Sequence, residues 1–211
     1  MKDKTNWNHY YKKKSIVSTY AQGIQRKYIL AMLKKNVKMK KIKNIVELGG
    51  ADSCFYETAK KIFPLKSFCI IDNSIVGLEN FKKLHQGEGV EIKLSNCDLL
   101  NDKVEIEKAD LCYSLGLIEH FNKKNTAKVI GAHFDCVQPN GYTMISFPTP
   151  TFKYRTVRRI MEILGVWQFW DERPLLRGEV EKVIKNYGVI VDKCLMKRMP
   201  LTQMLYLIKK K

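Results

Sequence analysis

The sequence is short of several features that would place it in a familiar class. None of its six cysteines, at 54, 69, 97, 112, 136 and 194, forms a Cys-x-x-Cys pair. Most sit inside apolar stretches, which argues for reduced, buried thiols in a cytosolic protein rather than a zinc site or a disulfide framework. No apolar run approaches the roughly 20 residues that span a bilayer. The start, MKDKTNWNHYYKKKS, has the charge of a secretion signal but no apolar stretch directly behind it, so no such signal is expected. There is no internal repeat and no low-complexity linker. Acidic residues are scarce, 21 against 38 basic ones in 211 residues.

That imbalance is uneven along the chain. Residues 1–43 hold thirteen basic residues against the single acid Asp3, a net of +12, and the last three lysines add +3. The remaining body, 44–208, carries only +2. A basic arm of this kind attracts nucleic acid, an anionic membrane surface or an anionic substrate; a solvated lysine-rich surface is the plain alternative. Of the basic residues 31 are lysine, the less selective phosphate partner. With 45% hydrophobic and 28% charged residues, the length fits one folded domain.

What is present is an alternation of helical and strand patterns. Residues 15–33 read as a helix, with Ser15 as its cap and Ile16, Val17, Tyr20, Ile24, Tyr28 and Ala31 as its apolar stripe. Strands follow at about 43–48, 67–72, 90–95 and 109–115, with a fifth in GYTMISF. Helices are expected at about 54–63, 74–86, 123–138, 152–164 and 177–187. Pro139-Asn140-Gly141 and Gly188 read as stops after the third and last of these. The chain closes with two strands around Met199-Pro200, whose short link forces them antiparallel. The fold class is therefore α/β: a doubly wound, mainly parallel seven-stranded sheet with helices on both faces and a C-terminal antiparallel hairpin.

The most informative segment runs from Asn44 to Phe55, where a buried strand ends in Leu48-Gly49-Gly50-Ala51 and a helix begins. Small residues there let backbone N–H groups and a helix N-terminus approach a ligand at the carboxyl end of the strand. Asp72 ends the second strand, where an acid can accept hydrogen bonds from both ribose hydroxyls. The dinucleotide pattern G-x-G-x-x-G and the phosphate-loop Gly-Lys-Ser/Thr are both absent.

What remains resembles the first motif of the class I S-adenosylmethionine-dependent methyltransferases, Glu-x-Gly-x-Gly-x-Gly. Glu47 and Gly49 match it, while Ala51 and Ser53 replace the second and third glycines with other small residues. Asp72-Asn73 resembles the family's acidic end of strand two. Asn96-Cys97-Asp98-Leu99 resembles the acid after strand three, which in the family faces the adenine amino group. The segment Tyr113-Ser114-Leu115-Gly116-Leu117-Ile118-Glu119-His120-Phe121 is similar to the one after strand four, and Gln138-Pro139-Asn140-Gly141 to the turn before strand five. The likeness covers about residues 42–208.

The resemblance implies S-adenosylmethionine as cofactor, with Glu47, Gly49, Gly50, Ala51, Asp52, Asp72, Asn73, Asp98, Leu99, Ser114, Leu115 and Glu119 around it. It divides the chain into a basic helical arm or lid, 1–41, and a cofactor-binding methyltransferase domain, 42–211. Methyl transfer from a sulfonium needs positioning and, for some acceptors, a base, but no metal. His120 is the candidate base, since its ordinary pKa lies near 6.5.

Residues 148–177 read as an acceptor-site insertion. They hold five of the seven arginines, together with Tyr154, Trp167 and Trp170. Tyr11, Tyr154, Arg155, Arg158, Trp167 and Trp170 are the candidate acceptor contacts, which suits a small, anionic or sugar-like acceptor. The plainer reading is an amphipathic helix that packs Ile160, Ile163 and Leu164 inward and leaves its arginines in solvent. Trp7, His9, Tyr10 and Tyr11 suit a lid. An RNA or protein methyltransferase using the basic arm, and an inert cofactor-binding module, are the alternatives. The Tyr-Ser-Leu-Gly loop lacks the Asn/Asp-Pro-Pro-aromatic motif of exocyclic-amine enzymes, and there is no Pro-Cys nucleophile. An aminopropyltransferase shares the fold and a Gly-Gly-x-Asp loop, but Glu119-His120-Phe121 speaks against it.

Overall fold

The strand segments that lack alternation, such as Ile45-Val46-Glu47-Leu48 and Phe68-Cys69-Ile70-Ile71, are buried on both faces, as strands at the centre of a covered sheet must be. The computed structural model describes residues 5–12, 16–85, 87, 89–102 and 104–211. Seven strands form one sheet: β1 (Asn44–Leu48), β2 (Ser67–Asp72), β3 (Glu91–Asn96), β4 (Ala109–Leu115), β5 (Val137–Pro148), β6 (Gly188–Met196) and β7 (Gln203–Lys210). Their order is β3-β2-β1-β4-β5-β7-β6, with β7 antiparallel to both β5 and β6 and the rest parallel. Chain direction along the sheet reverses between β1 and β4, so the loops after these strands part and leave a crevice at their carboxyl ends.

The helices are α1 (Trp7–Lys12), α2 (Ile16–Asn36), α3 (Tyr56–Ile62), α4 (Ile75–Leu84), α5 (Lys123–Asp135), α6 (Phe152–Ile163) and α7 (Arg177–Ile184). On one side of the sheet, Ile29 and Leu33 of α2, Tyr56 and Ala59 of α3 and Leu78 and Phe81 of α4 pack on Ile45, Phe68, Leu111 and Leu205. On the other, Val129, Ile130 and Phe134 of α5 and Val180 and Ile184 of α7 cover Ile145, Tyr206 and Ile208. Each fully buried Ile or Leu contributes about 1.5–3 kcal/mol. Helix α2 is thus built into the main core, and its Gln25 Nε2 donates to Ser146 Oγ of β5 at 3.0 Å.

Three local expectations change and a fourth falls outside the described residues. The buried stripe of α2 is Gln25, Ile29, Met32 and Leu33, while Tyr20 and Ala31 face solvent; packing against the sheet, not periodicity alone, selects the face. Helix α5 stops at Asp135, and Pro139-Asn140-Gly141 lies within β5 as a bulge, where Asn140 takes φ 63° and the register with β4 shifts between Ala109 and Leu111. Gly188 is not a helix stop: it opens β6, and a Cβ there would lie 2.5 Å from the carbonyl oxygen of Lys209. Ser15, the expected cap of α2, falls outside the described residues. Thr151, Asn122 and Ser74 do cap their helices, accepting from Tyr154 N, Asn125 N and Gly77 N.

Candidate functional site

At the end of β1 the chain must turn sharply, and Gly49 does so at φ 64°. Its N–H donates to Ile71 O at 2.8 Å. A Cβ on Gly49 would lie 2.6 Å from Leu117, and one on Gly50 would lie 2.2 Å from the Glu47 side chain, so both glycines are required by close approach. Glu47 is buried, and burial pushes its carboxyl up to about 8 despite hydrogen bonds from Ser53 and Tyr113. Tyr113 Oη donates to Glu47 Oε2 at 2.6 Å.

Asp72 closes β2 facing this turn. Its Oδ1 accepts from Ser74 N at 2.8 Å, and its Oδ2 accepts from Ala51 N at 3.1 Å and from the Tyr11 hydroxyl at 3.2 Å. Burial raises its pKa, and these three donors hold it back. Ala51 is buried, Asn73 is exposed, and Asp52 accepts from Gln22 Nε2 at 3.3 Å. The residues therefore fit a ribosyl cofactor. A two-oxygen acid faces a tight glycine turn, and the Tyr11 hydroxyl holds the kind of bond a ribose hydroxyl would make.

Asp98 follows β3 and ties its own turn, accepting from Leu100 N at 2.9 Å and Asn101 Nδ2 at 2.7 Å. Leu99 packs beneath it, partly buried. Near the end of β4, Ser114 is buried and donates to His133 Nε2 at 2.7 Å, because His133 Nδ1 already donates to Val129 O. Burial pulls His133 down to about 4, so this imidazole stays neutral. Leu115 is partly buried, and Gly116 at φ 76° turns the chain into Ile118–His120.

His120 Nδ1 stands 3.0 Å from Asp171 Oδ1. Asp171 is held down to about 2: burial opposes this, but hydrogen bonds from His120 and Thr5 outweigh it. A carboxylate so acidic cannot donate, so Nδ1 carries the hydrogen and Nε2 keeps the free position. Burial lowers the His120 pKa, and Asp171 and the Glu119 charge raise it by more, leaving it above 6.5. Glu119 is buried with Oε2 unpartnered, and burial pushes it to about 8. Donor atoms of Glu119, His120 and Glu172 lie within 4.8 Å of one another, the one group of this kind among the described residues that could hold a metal ion.

Residues 148–177 cover this end. Tyr154 is buried and donates to Glu172. Arg158 donates to Glu162 Oε1 at 2.9 Å and to Tyr154 Oη at 2.9 Å, and stacks 4.7 Å over the buried Trp167 ring. Arg155 points to solvent, and Trp170 is largely exposed at a cavity of about 480 Å³ that His120, Asn122, Arg158, Asp171 and Glu172 also line.

Helix α1 joins the two ends. Its Tyr11 meets Asp72, its Trp7 ring stands edge-on to His120 with centroids 4.9 Å apart, and Ser74 Oγ donates to Asn8 Oδ1 at 2.6 Å. Just before it, Thr5 donates to Asp171 through its backbone N–H at 3.1 Å and through its hydroxyl. Among the expected residues, Glu47, Gly49, Gly50, Ala51, Asp72 and Tyr11 thus meet at one end, and His120, Glu119, Arg158 and Trp170 at the other.

Sequence reasoning left Asp171, Glu172, Tyr113, Ser74 and His133 without a role. Asp171 lies 51 residues from His120, and no local spacing joins them. The one available signal was an acidic pair inside the arginine- and tryptophan-rich insertion.

Residues 3–146 match the family described as O-methyltransferase domain, more than half of the chain and nearly to the end of β5. No curated protein sequence matches. Among solved structures, the N-methyltransferase NodS from Bradyrhizobium japonicum WM9 superposes with a TM-score of 0.65 at 14% identity, over 89% of this chain and 97% of that one. Magnesium protoporphyrin IX methyltransferase from Synechocystis PCC 6803, with bound S-adenosylmethionine, gives 0.68 at 12% identity over 97% and 89%. An S-adenosylmethionine-dependent methyltransferase from Clostridium acetobutylicum ATCC 824 gives 0.66 at 15% identity over 90% and 92%. With the sheet order and the strand-end residues of this chain, the family match identifies it as an S-adenosylmethionine-dependent methyltransferase of class I fold, a member of the O-methyltransferase domain family.

Proposed function

We propose that this methyltransferase acts on a hydroxyl group of a small molecule bound against His120, Asp171 and Trp170. The carrying observation is the His120–Asp171 pair, which leaves Nε2 of a buried imidazole free beside a cavity of about 480 Å³, within the ordinary size range of small-molecule sites. The bound cofactor supplies a methyl group on a sulfonium, already activated for displacement. In this reading Asp72 holds the ribose hydroxyls, the Gly49–Gly50 turn and Glu47 receive the methionine part, and Asp98 and Leu99 border the adenine. Asp171 fixes the His120 tautomer, and Nε2 takes the acceptor's proton as its oxygen becomes a nucleophile. Helix α1 excludes water from both ends, through Tyr11 and Trp7.

The arginines favour a neutral hydroxylated acceptor over an anionic one. Arg158 is engaged by Glu162 and Tyr154, and Arg173 by Glu179 at 2.8 Å. Only Arg155, Arg159 and Arg177 of the insertion remain in solvent.

The test is release of S-adenosylhomocysteine on presenting a panel of phenols, sugars and simple amines to the purified protein. Turnover with hydroxyl acceptors and none with amines supports the reading. Turnover with amines alone overturns the hydroxyl assignment, and activity on RNA alone overturns the small-molecule one.

A further inference from the structure

Helix α6 is built inside out. An apolar arc on a surface helix ordinarily turns toward the core. Here Phe152, Ile160, Ile163 and Leu164, which fall within an arc of about 120° on a helical projection, are 87%, 50%, 70% and 67% exposed. The inward side instead carries the polar pair Tyr154 and Arg158, committed to Glu172, Glu162 and Trp167. The isoleucines expected inside therefore face out, while of the three arginines only Arg158 turns inward and Arg155 and Arg159 stay in solvent as expected. Arg158 lines the cavity and Tyr154 holds Glu172, another residue of its wall, and these two contacts take up the inward face.

The outward face is not merely apolar. Arg155 and Arg159 border the arc and are exposed, and Lys153 lies within it, with Nζ donating to the carbonyls of Lys197 and Met199. That bond brings the exposed Lys197 and Arg198 next to the start of the helix. The only acid of α6, Glu162, is occupied by Arg158 at 2.9 Å and Arg159 at 3.7 Å. Past the helix, Val166 and Trp170 are also exposed.

We propose that this face of α6 docks on an anionic lipid bilayer surface. Hydrocarbon takes Phe152, Ile163 and Leu164, and lipid phosphates take Arg155 and Arg159, whose guanidinium forks suit them. Trp170 adds an exposed indole, a ring that favours the headgroup boundary. Among the described residues no helix is long and apolar enough to cross a membrane, so the contact proposed is an interfacial one. A second copy of this chain is the poorer occupant, because pairing the face with itself sets Arg155 and Arg159 against their own kind and joins two chains of +17 each. Arg158 and Trp170 also line the 480 Å³ cavity, so a docked α6 places the acceptor site directly behind the bilayer surface. The proposal does not depend on which acceptor is methylated, or on methyl transfer at all.

The experiment is flotation of the full chain with vesicles of phosphatidylcholine alone and of phosphatidylcholine with phosphatidylglycerol. Binding to the anionic vesicles only, weakened by salt and accompanied by a blue shift of tryptophan emission, is the expected result. A Phe152→Ser/Ile163→Ser double variant should lower partitioning about tenfold or more, and Arg155→Glu/Arg159→Glu by a similar factor. These positions are exposed, so circular dichroism should remain that of the parent. Undiminished binding of the serine variant would assign the attraction to the lysine-rich surface and overturn the proposal. So would a parent protein that ignores anionic vesicles. A parent that is dimeric by light scattering, and that the serine variant makes monomeric, would give the face to a second copy and overturn it equally.

Discussion

The two ends of the site are made differently. The end after β1 and β2 is local: Glu47, Gly49, Gly50 and Ala51 lie in five consecutive residues, and their partner Asp72 ends the adjacent strand. The end after β4 is assembled across the chain, from His120 just after that strand, Arg158 on α6, Asp171 in the segment that follows α6, and Thr5 and Trp7 near the N-terminus. A strand-end loop can be read from spacing because the sheet fixes where it must lie. A helix and a His–Asp contact brought together over long sequence distances have no such rule. The comparison also separates binding from chemistry, since the first end would hold the cofactor and the second would act on the acceptor.

The sharpest way to break that separation is His120→Ala. If His120 takes the proton, turnover should fall by about 10²–10⁴ while cofactor affinity by calorimetry is unchanged. The parent's rate should rise with pH and level off above a midpoint higher than 6.5, because the imidazole must be neutral and its net shift is upward. A loss under about tenfold with an unaltered pH profile would remove the base role.

The converse variant, Asp72→Ala, should weaken S-adenosylmethionine binding by about 1.5–3 kcal/mol, the scale of lost hydrogen bonds to a charged group. Turnover at saturating cofactor should remain close to the parent's. Equal affinity in the variant would refute the ribose assignment.

Glu47 gives the first end a pH response of its own, as Glu119, also raised to about 8 by burial, gives the second. Its folded pKa, about 8, lies above the ordinary 4.5. The stability it contributes is therefore complete below 4.5 and is lost as pH rises toward 8, with a slope of at most about 1.4 kcal/mol per pH unit for one proton. Denaturant titrations of Glu47→Gln between pH 5 and 8 should show a flatter dependence than the parent; an identical slope would show that Glu47 does not titrate in this range.

The smallest expected effect concerns the lid. Tyr11→Phe removes one donor to Asp72, so the free protein should lose about 0.5–1.5 kcal/mol of stability. Because a ribose hydroxyl then meets no competitor, the thermal shift on adding cofactor should grow. A shift that shrinks would mean that Tyr11 helps to hold the cofactor rather than standing in its place.

The sequence by itself determined the sheet, its closing hairpin and the loop after β1, because buried strands, glycine turns and short links obey local rules of period, sterics and reach. It also located Asp72 and His120, through the order of motifs at the strand ends. Only the tertiary structure decided what those residues touch. The long-range partners of Asp72 and His120, Tyr11 of α1 and Asp171 of residues 148–177, lie 61 and 51 residues away, and such hydrogen bonds leave no periodic trace. The orientation of α6 shows the same limit. Its pattern of apolar and charged residues defined a helix with two faces, but which face turned inward was settled by Glu172 and Trp167, since a buried arginine goes where its carboxylate and its ring are.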